Sequence, residues 1–176
     1  MKKKIIGFFA SIFIVAMFAV PVMAASPNKV PVTAYITTVV PDFTNLDIRE
    51  TDGVIHIENL RLTGGIVIFP EGGAIPLAVG AYVDDPCGGL YNPKAGMSVY
   101  TFDEIWTLDD GIDGTFVGTI HVKITGNLLT FTFDTMEAYV ILHGTGGYEG
   151  QVLNLKMDWD TSDPATYGYT GTWLKP

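Results

Sequence analysis

Three ionisable side chains fall on one line of a predicted strand near the middle of the chain. Glu137, Tyr139 and His143 follow Phe133 in the two-residue period that places side chains on one face of a β-sheet. If that face points inward without interruption, a carboxyl, a phenol and an imidazole line a closed interior. A carboxyl group removed from water there has a raised pKa, which suits general acid or base catalysis.

A bulge within residues 134–136 reverses this assignment. It sends the three ionisable side chains to solvent and turns inward the apolar residues between them, which are Ala138, Val140 and Leu142. We favour the bulge because apolar side chains are stabilised by burial. The catalytic candidates Glu137, Tyr139 and His143 depend on the first arrangement.

The elements that must position these residues begin with two alternating segments, residues 115–124 and 129–136. A two-residue turn at Gly126-Asn127 predicts a hairpin in which Val122 pairs with Phe131. One face of this hairpin is then wholly apolar, with β-branched side chains opposite Leu and Phe.

Strand-like patterns recur along the rest of the chain. They cover residues 32–40, 54–62, 66–69, 75–83, 97–108, 152–159 and 167–174. Turns are predicted at Gly64-Gly65 and over residues 84–96, and a bulge near Glu58-Asn59. Many strands with short connections predict an all-β fold, an antiparallel up-and-down barrel of about eight strands. Closure is favoured because it leaves no exposed edge strand.

The first 24 residues have the organisation of a secretory signal peptide. Lysines at positions 2–4 precede an apolar run over residues 5–20, and small residues end the segment. We predict cleavage after Ala24 or Ala25, which leaves residues 25–176 as a single secreted or extracytoplasmic domain without a stable membrane anchor. The alternative is an uncleaved anchor, since the run is only slightly shorter than the roughly 20 residues of a spanning helix.

The charge balance of the chain is acidic. Its formal net charge is −9, and loss of the N-terminal lysines makes the remainder more acidic. A surface of this sign repels nucleic acid and anionic lipid, so neither is expected as a partner. Cys87 is the only cysteine, which excludes an internal disulfide and a thiolate metal cluster.

Large aromatic residues are candidates for contact with a ligand. Phe131 and Phe133 share the apolar face of the predicted hairpin, and Trp106 and Trp173 lie in other strands. Aromatic side chains line the cavities of ligand-binding barrels, but they also fill barrel cores. Core filling is the simpler interpretation of each.

Two acidic segments have part of the spacing of a calcium-binding loop. Asp109 and Asp113 stand in the first, Asp158 and Asp160 in the second. Neither pattern is complete, and acidic residues are also common in turns. The 3 histidines have no zinc-binding spacing. No metal or other cofactor is predicted.

A glycine-rich segment carries a resemblance to a known family. Residues 143–150, HGTGGYEG, resemble the G-[ST]-G-x-[FY]-E-G hairpin of allene oxide cyclases and, more loosely, of dirigent proteins. Residues 114–119, GTFVGT, resemble a strand of small secreted β-barrel families of unknown function. The resemblance implies a barrel and, by analogy, a homo-oligomer. It does not carry over the cyclase activity, because the catalytic residues of that family have no counterparts that we can place in this chain.

The glycines of that segment permit a sharp reversal of the chain, after which Tyr148 is predicted to cover one end of the barrel. Eight strands leave an interior that is filled or just wide enough for one small molecule. We therefore expect a secreted barrel that binds a small apolar ligand or serves as a non-catalytic surface module. The alternative is a cyclase or isomerase that acts on a hydrophobic substrate in the barrel, with Glu137 or Tyr139 polarising it.

Overall fold

The computed structural model of the chain describes residues 28–127, 132–160, 162 and 168–176. The predicted signal peptide, Phe131 and most of the segment around Asp163-Pro164 lie outside this part. The described residues form ten strands and a short 3₁₀ helix at Gly146–Tyr148. The strands are β1 (Asn28–Ile36), β2 (Val40–Asp42), β3 (Asp47–Thr51), β4 (Val54–Pro70), β5 (Ala78–Asn92), β6 (Met97–Leu108), β7 (Phe116–Asn127), β8 (Thr132–Gly144), β9 (Val152–Asp160) and β10 (Tyr169–Lys175).

Eight of the strands form an antiparallel ring. Their order is β1-β10-β9-β8-β7-β6-β5-β4, and β1 pairs back to β4. The closing pair joins only residues 32–36 to residues 66–70, whereas β4 and β5 pair along most of their length, so the ring is not evenly closed. Strands β2 and β3 pair with β4 outside the ring. The predicted antiparallel barrel of about eight strands is confirmed.

Alternation along the strands separates the interior from the surface. In β6, buried and exposed residues follow each other without a break from Met97 to Leu108, as the sequence predicts. Removal of each large apolar side chain from water stabilises the fold by about 1.5–3 kcal/mol. The largest fully buried apolar residues are Trp106, Tyr82, Tyr91, Tyr148, Phe116, Ile66, Ile68, Leu142, Leu153, Leu155 and Met157.

The predicted register of the β7–β8 hairpin is wrong, although the predicted inward face of β7 is right. Val122 pairs with Ala138, and Gly126 and Asn127 belong to β7 rather than to a turn. At Gly126 and Asn127 the observed pairing is displaced by an even number of residues from the predicted one, so Phe133 keeps its predicted face. From Thr125 to Phe116 the displacement is odd, because an additional residue of β8 lies between the two parts. Residues 128–131, which include Phe131, lie outside the described part.

The predicted bulge in β8 is confirmed. Thr125 pairs with Thr135 and Gly126 with Phe133, so Asp134 is the additional residue. Beyond it the inward face is reversed, and Ala138, Val140 and Leu142 are buried.

Strand β4 is continuous through Gly64-Gly65, so the predicted turn there is wrong. The two glycines serve a close approach instead of a reversal: a Cβ atom at Gly64 would lie 1.9 Å from the Thr38 carbonyl oxygen and 2.5 Å from the Tyr82 ring. The Gly65 N–H donates to Thr38 Oγ1 at 2.9 Å. The predicted bulge near Glu58-Asn59 is confirmed, since Asn59 has a φ of 59° and the register shifts beside it.

The connection predicted over residues 84–96 is mostly strand. β5 continues to Asn92, and only residues 93–96 form the turn to β6. An irregularity between Asp84 and Cys87 accommodates Asp85-Pro86, whose peptide bond is cis. The turn-forming residues of this segment therefore interrupt the pairing locally without ending the strand. As a result Asp84 faces the interior of the ring.

Tyr148 closes one part of the interior, as predicted. Its ring is fully buried and lies 4.7 Å, centroid to centroid, from Phe116, which in turn contacts Trp173 edge-on at 5.6 Å. The Tyr148 hydroxyl donates to Asp110. Burial first, and this hydrogen bond to a carboxylate second, raise the pKa of Tyr148 above its usual value, so the phenol stays neutral.

Candidate functional site: an apolar cavity with a buried carboxyl pair

A cavity of about 260 Å³ lies inside the ring, on the side away from Tyr148. On β7 it is lined by Ile120, Val122 and Ile124, which follow Phe116 along the strand. Val39 stands at its edge with 52% of its surface exposed, so the cavity reaches the surface there. The remaining lining residues are Ile36, Leu60, Leu62, Tyr82, Asp84, Tyr100, Phe102, Met136, Met157 and Tyr169.

Two carboxyl groups face each other beside this cavity. Asp84 on β5 and Glu104 on β6 are direct partners in the sheet register, and both point inward, with 5% and 1% of their surface exposed. Directly opposed residues on one face of an antiparallel pair have Cβ atoms roughly 5 Å apart. Asp84 lines the cavity. Within the described residues, Asp84 Oδ1 and Glu104 Oε2 have no hydrogen-bond partner.

The second oxygen of Glu104 is held by a neighbouring indole. Trp106 Nε1–H donates to Glu104 Oε1 at 2.6 Å, and Trp106 is itself fully buried. This bond sets the direction of the Glu104 carboxyl group and leaves Oε2 available.

Burial changes the protonation of both groups. It raises the pKa of Asp84 to about 7. Burial first, and the charge of Asp84 second, raise the pKa of Glu104 to about 8, against a lowering by the Trp106 hydrogen bond. Two carboxyl groups this close to each other do not ionise independently. Near neutral pH the pair therefore retains a proton and can both donate and accept a hydrogen bond.

The three predicted catalytic residues, Glu137, Tyr139 and His143, lie on the outer surface. Glu137 forms an ion pair with Lys123 at 3.6 Å, and both side chains are about half exposed. Tyr139 is 51% exposed and His143 is exposed as well. The arrangement in which these three side chains line the interior is wrong, because the bulge at Asp134 turns them outward.

Of the aromatic residues that were predicted to contact a ligand, those that the structure describes do not form the wall of the cavity. Trp106 supports Glu104, and Trp173 packs on Phe116 while its indole N–H donates to Gln151 Oε1 at 2.8 Å. Phe133 pairs with Gly126. None of these three is among the residues that line the cavity, and Phe131 lies outside the described residues. Tyr82, Tyr100, Phe102 and Tyr169 supply the aromatic lining instead.

The acidic candidates for metal binding lie in turns and on the outer surface. Asp109 and Asp113 are exposed; Asp158 pairs with Lys156, and Asp160 accepts hydrogen bonds from Ser162. Across the described ranges, no group of three or more His, Cys, Asp or Glu side chains is placed to hold a metal ion. No helix in those ranges has the length and apolar character needed to cross a membrane.

The carboxyl pair was not predicted from the sequence, although the position of Glu104 indicated one of its two members. Glu104 has the same parity as Tyr100, Phe102 and Trp106 in a cleanly alternating strand, so it is a charge placed on an apolar face. The position of Asp84 had no comparable signal, because it precedes a segment with the composition of a loop.

Fold and site together define a barrel-like all-β protein whose apolar cavity adjoins two buried carboxyl groups. Comparison with family models, with curated proteins and with solved structures found no match for this chain.

Proposed function

We propose that this protein binds a small, largely apolar molecule inside its barrel. The cavity of about 260 Å³ with mostly aliphatic and aromatic walls is the observation that carries the proposal. A dry apolar cavity of about 150 Å³ is large enough to bind benzene. The cavity here thus has room for an aromatic ring with a short chain, and it favours binding over a purely structural surface module.

The proposed setting is outside the cytoplasm. Support comes from the basic and apolar character of residues 1–24 and from the acidic balance of the remainder. We also propose kinship with the allene oxide cyclase and dirigent group, and self-association by analogy with it. The glycine-rich segment at residues 143–150 and the antiparallel ring of eight strands support this kinship.

Filling the cavity is expected to weaken binding of the small molecule. The probe is ethylbenzene, and its binding is measured as the rise in melting temperature with ligand concentration. V122F places a ring in the cavity and is expected to weaken binding by about tenfold or more, because the ligand and the new side chain compete for one space.

The matched control is V99F, which makes the same substitution on β6 at a residue that is 40% exposed and does not line the cavity. E137Q removes the surface carboxylate of the ion pair with Lys123. Both controls are expected to bind ethylbenzene as the unmodified protein does. Equal binding by V122F, or no binding by the unmodified protein, contradicts the proposal.

Catalysis is the second candidate function, and the carboxyl pair is the observation that favours it. A cyclase or isomerase needs a proton donor next to its substrate, and Asp84 with Glu104 meets this need, whereas Glu137 and Tyr139 face solvent. Chromatography, against authentic standards, of a known hydrophobic molecule recovered after incubation with the protein separates the two functions. A binding protein returns the molecule unchanged, and an enzyme returns an isomer.

A further inference from the structure

Two acidic side chains face the interior, and no basic side chain stands beside them among the described residues that line the cavity. Asp84 and Glu104 are both more than nine-tenths buried, and each has one oxygen without a hydrogen-bond partner within the described residues. A buried acceptor left unsatisfied costs about 1–3 kcal/mol, so such an arrangement is stable only if other interactions offset it. A ligand that supplies donors removes this cost.

No basic side chain of the described residues is placed to form an ion pair with Asp84 or Glu104. Among the described residues that line the cavity there is no lysine, arginine or histidine, and the ionisable groups there besides Asp84 are the phenols of Tyr82, Tyr100 and Tyr169. On β4 and β5, the closest basic side chain in register is Arg61, which pairs with the exposed Asp85 at 3.4 Å. On β6, the neighbouring Asp103 faces solvent, and on β7 the partner of Glu104 is Gly118.

We propose that the ligand of the cavity is a small hydrophobic amine whose ammonium group binds between Asp84 and Glu104 while its apolar part occupies the cavity. This inference depends on the proposed binding function and adds the chemical class of the ligand to it. An ammonium group offers three donors, enough for both Asp84 Oδ1 and Glu104 Oε2. Hydrogen bonds between charged partners are about twice as strong as neutral ones.

The walls of the cavity suit the same class of ligand. Tyr100 and Phe102 lie side by side with their rings stacked at 6.0 Å, and both line the cavity. Aromatic faces attract a cation through their quadrupole, and this attraction is stronger where water is excluded. At pH 8 and above, where the pair is largely ionised, a carboxylate ligand of the same size would instead be repelled by it.

Binding of a cation must be linked to pH. The pKa of Asp84 is raised to about 7 and that of Glu104 to about 8, so the pair holds protons at pH 5 that a bound ammonium group displaces. Amine binding is therefore expected to release protons near pH 7 and to weaken as the pH falls.

The experiment compares 2-phenylethylamine with 2-phenylethanol, a neutral molecule of the same shape, by isothermal titration calorimetry of the purified protein. At pH 8 the amine is expected to bind about tenfold more tightly or better, with proton release visible as a dependence of the heat on the buffer. At pH 5 the preference is expected to shrink. Equal binding of amine and alcohol at pH 8 overturns the inference about the amine and leaves the cavity proposal intact, whereas failure of both molecules and of ethylbenzene overturns both.

Variants of the pair give an independent test. D84N and E104Q keep the shape of each side chain and remove its charge, and each is expected to lose most of the preference for the amine while still binding the alcohol. D103N makes the same change in net charge at an exposed neighbour of Glu104 and is expected to retain the preference. Persistence of the full preference in both D84N and E104Q contradicts a site between these two carboxyl groups.

Discussion

Lowering the pH from 8 to 5 is expected to increase the free energy of unfolding by an amount on the order of 5 kcal/mol. The reason is that Asp84 and Glu104 bind protons more tightly in the folded chain, with pKa values of about 7 and about 8 against ordinary values of 3.8 and 4.5. Between about pH 4 and pH 8 the folded state therefore holds more protons than the unfolded state. The added stability is fully present below the unfolded pKa values and is lost as the pH rises through the folded ones.

Chemical denaturation at a series of pH values measures this effect. The double variant D84N/E104Q is expected to show a much flatter profile and to be more stable than the unmodified protein at pH 8, because no charge has to be buried. D103N, an exposed change on the same strand, is expected to keep the original profile. If the double variant retains the steep profile, the buried pair is not its source.

Replacing Tyr148 by alanine is expected to destabilise the protein by about 3–5 kcal/mol. The ring is fully buried against Phe116, so its removal leaves a cavity in a closely packed part of the interior. Replacement by phenylalanine keeps the ring and removes only the hydrogen bond to Asp110. The expected loss for Y148F is about 1–3 kcal/mol.

The matched control for this series is Y139A, since Tyr139 is a tyrosine of the same sheet that faces solvent. A loss of about 0.5 kcal/mol or less is expected there. Urea denaturation midpoints give the three values. A loss in Y148A no larger than that in Y139A would show that the Tyr148 ring does not support the barrel.

The strands with clean alternation could be predicted from the sequence, and those with interruptions could not. The bounds of β6 and the inward face of β7 follow from the two-residue period alone. By contrast, Gly64-Gly65 and residues 84–92 have the composition of turns and lie within strands. Residues 84–92 belong to a strand that lies between β4 and β6, and Gly64-Gly65 pair with β5 while Gly65 bonds to residues 37 and 38 on its other side. These hydrogen bonds to the backbone override the local preference for a turn.

The site was harder to predict than the fold. Glu137, Tyr139 and His143 have the residue types of a catalytic line, but a single additional residue at Asp134 places them outside. The deciding quantity is the register of one strand against its neighbours, and a displacement by one residue exchanges the two faces completely.

By itself, the sequence determined the all-β class, the antiparallel ring and the apolar character of its interior, because side-chain period and turn composition are local properties. Only the tertiary structure decided that Asp84 and Glu104 face each other beside the cavity. Their juxtaposition depends on the irregularity between Asp84 and Cys87, which shifts the pairing of β5 with β6. Asp85-Pro86 marks the place of that irregularity in the sequence, but only the pairing with β6 decides which residue then faces Glu104.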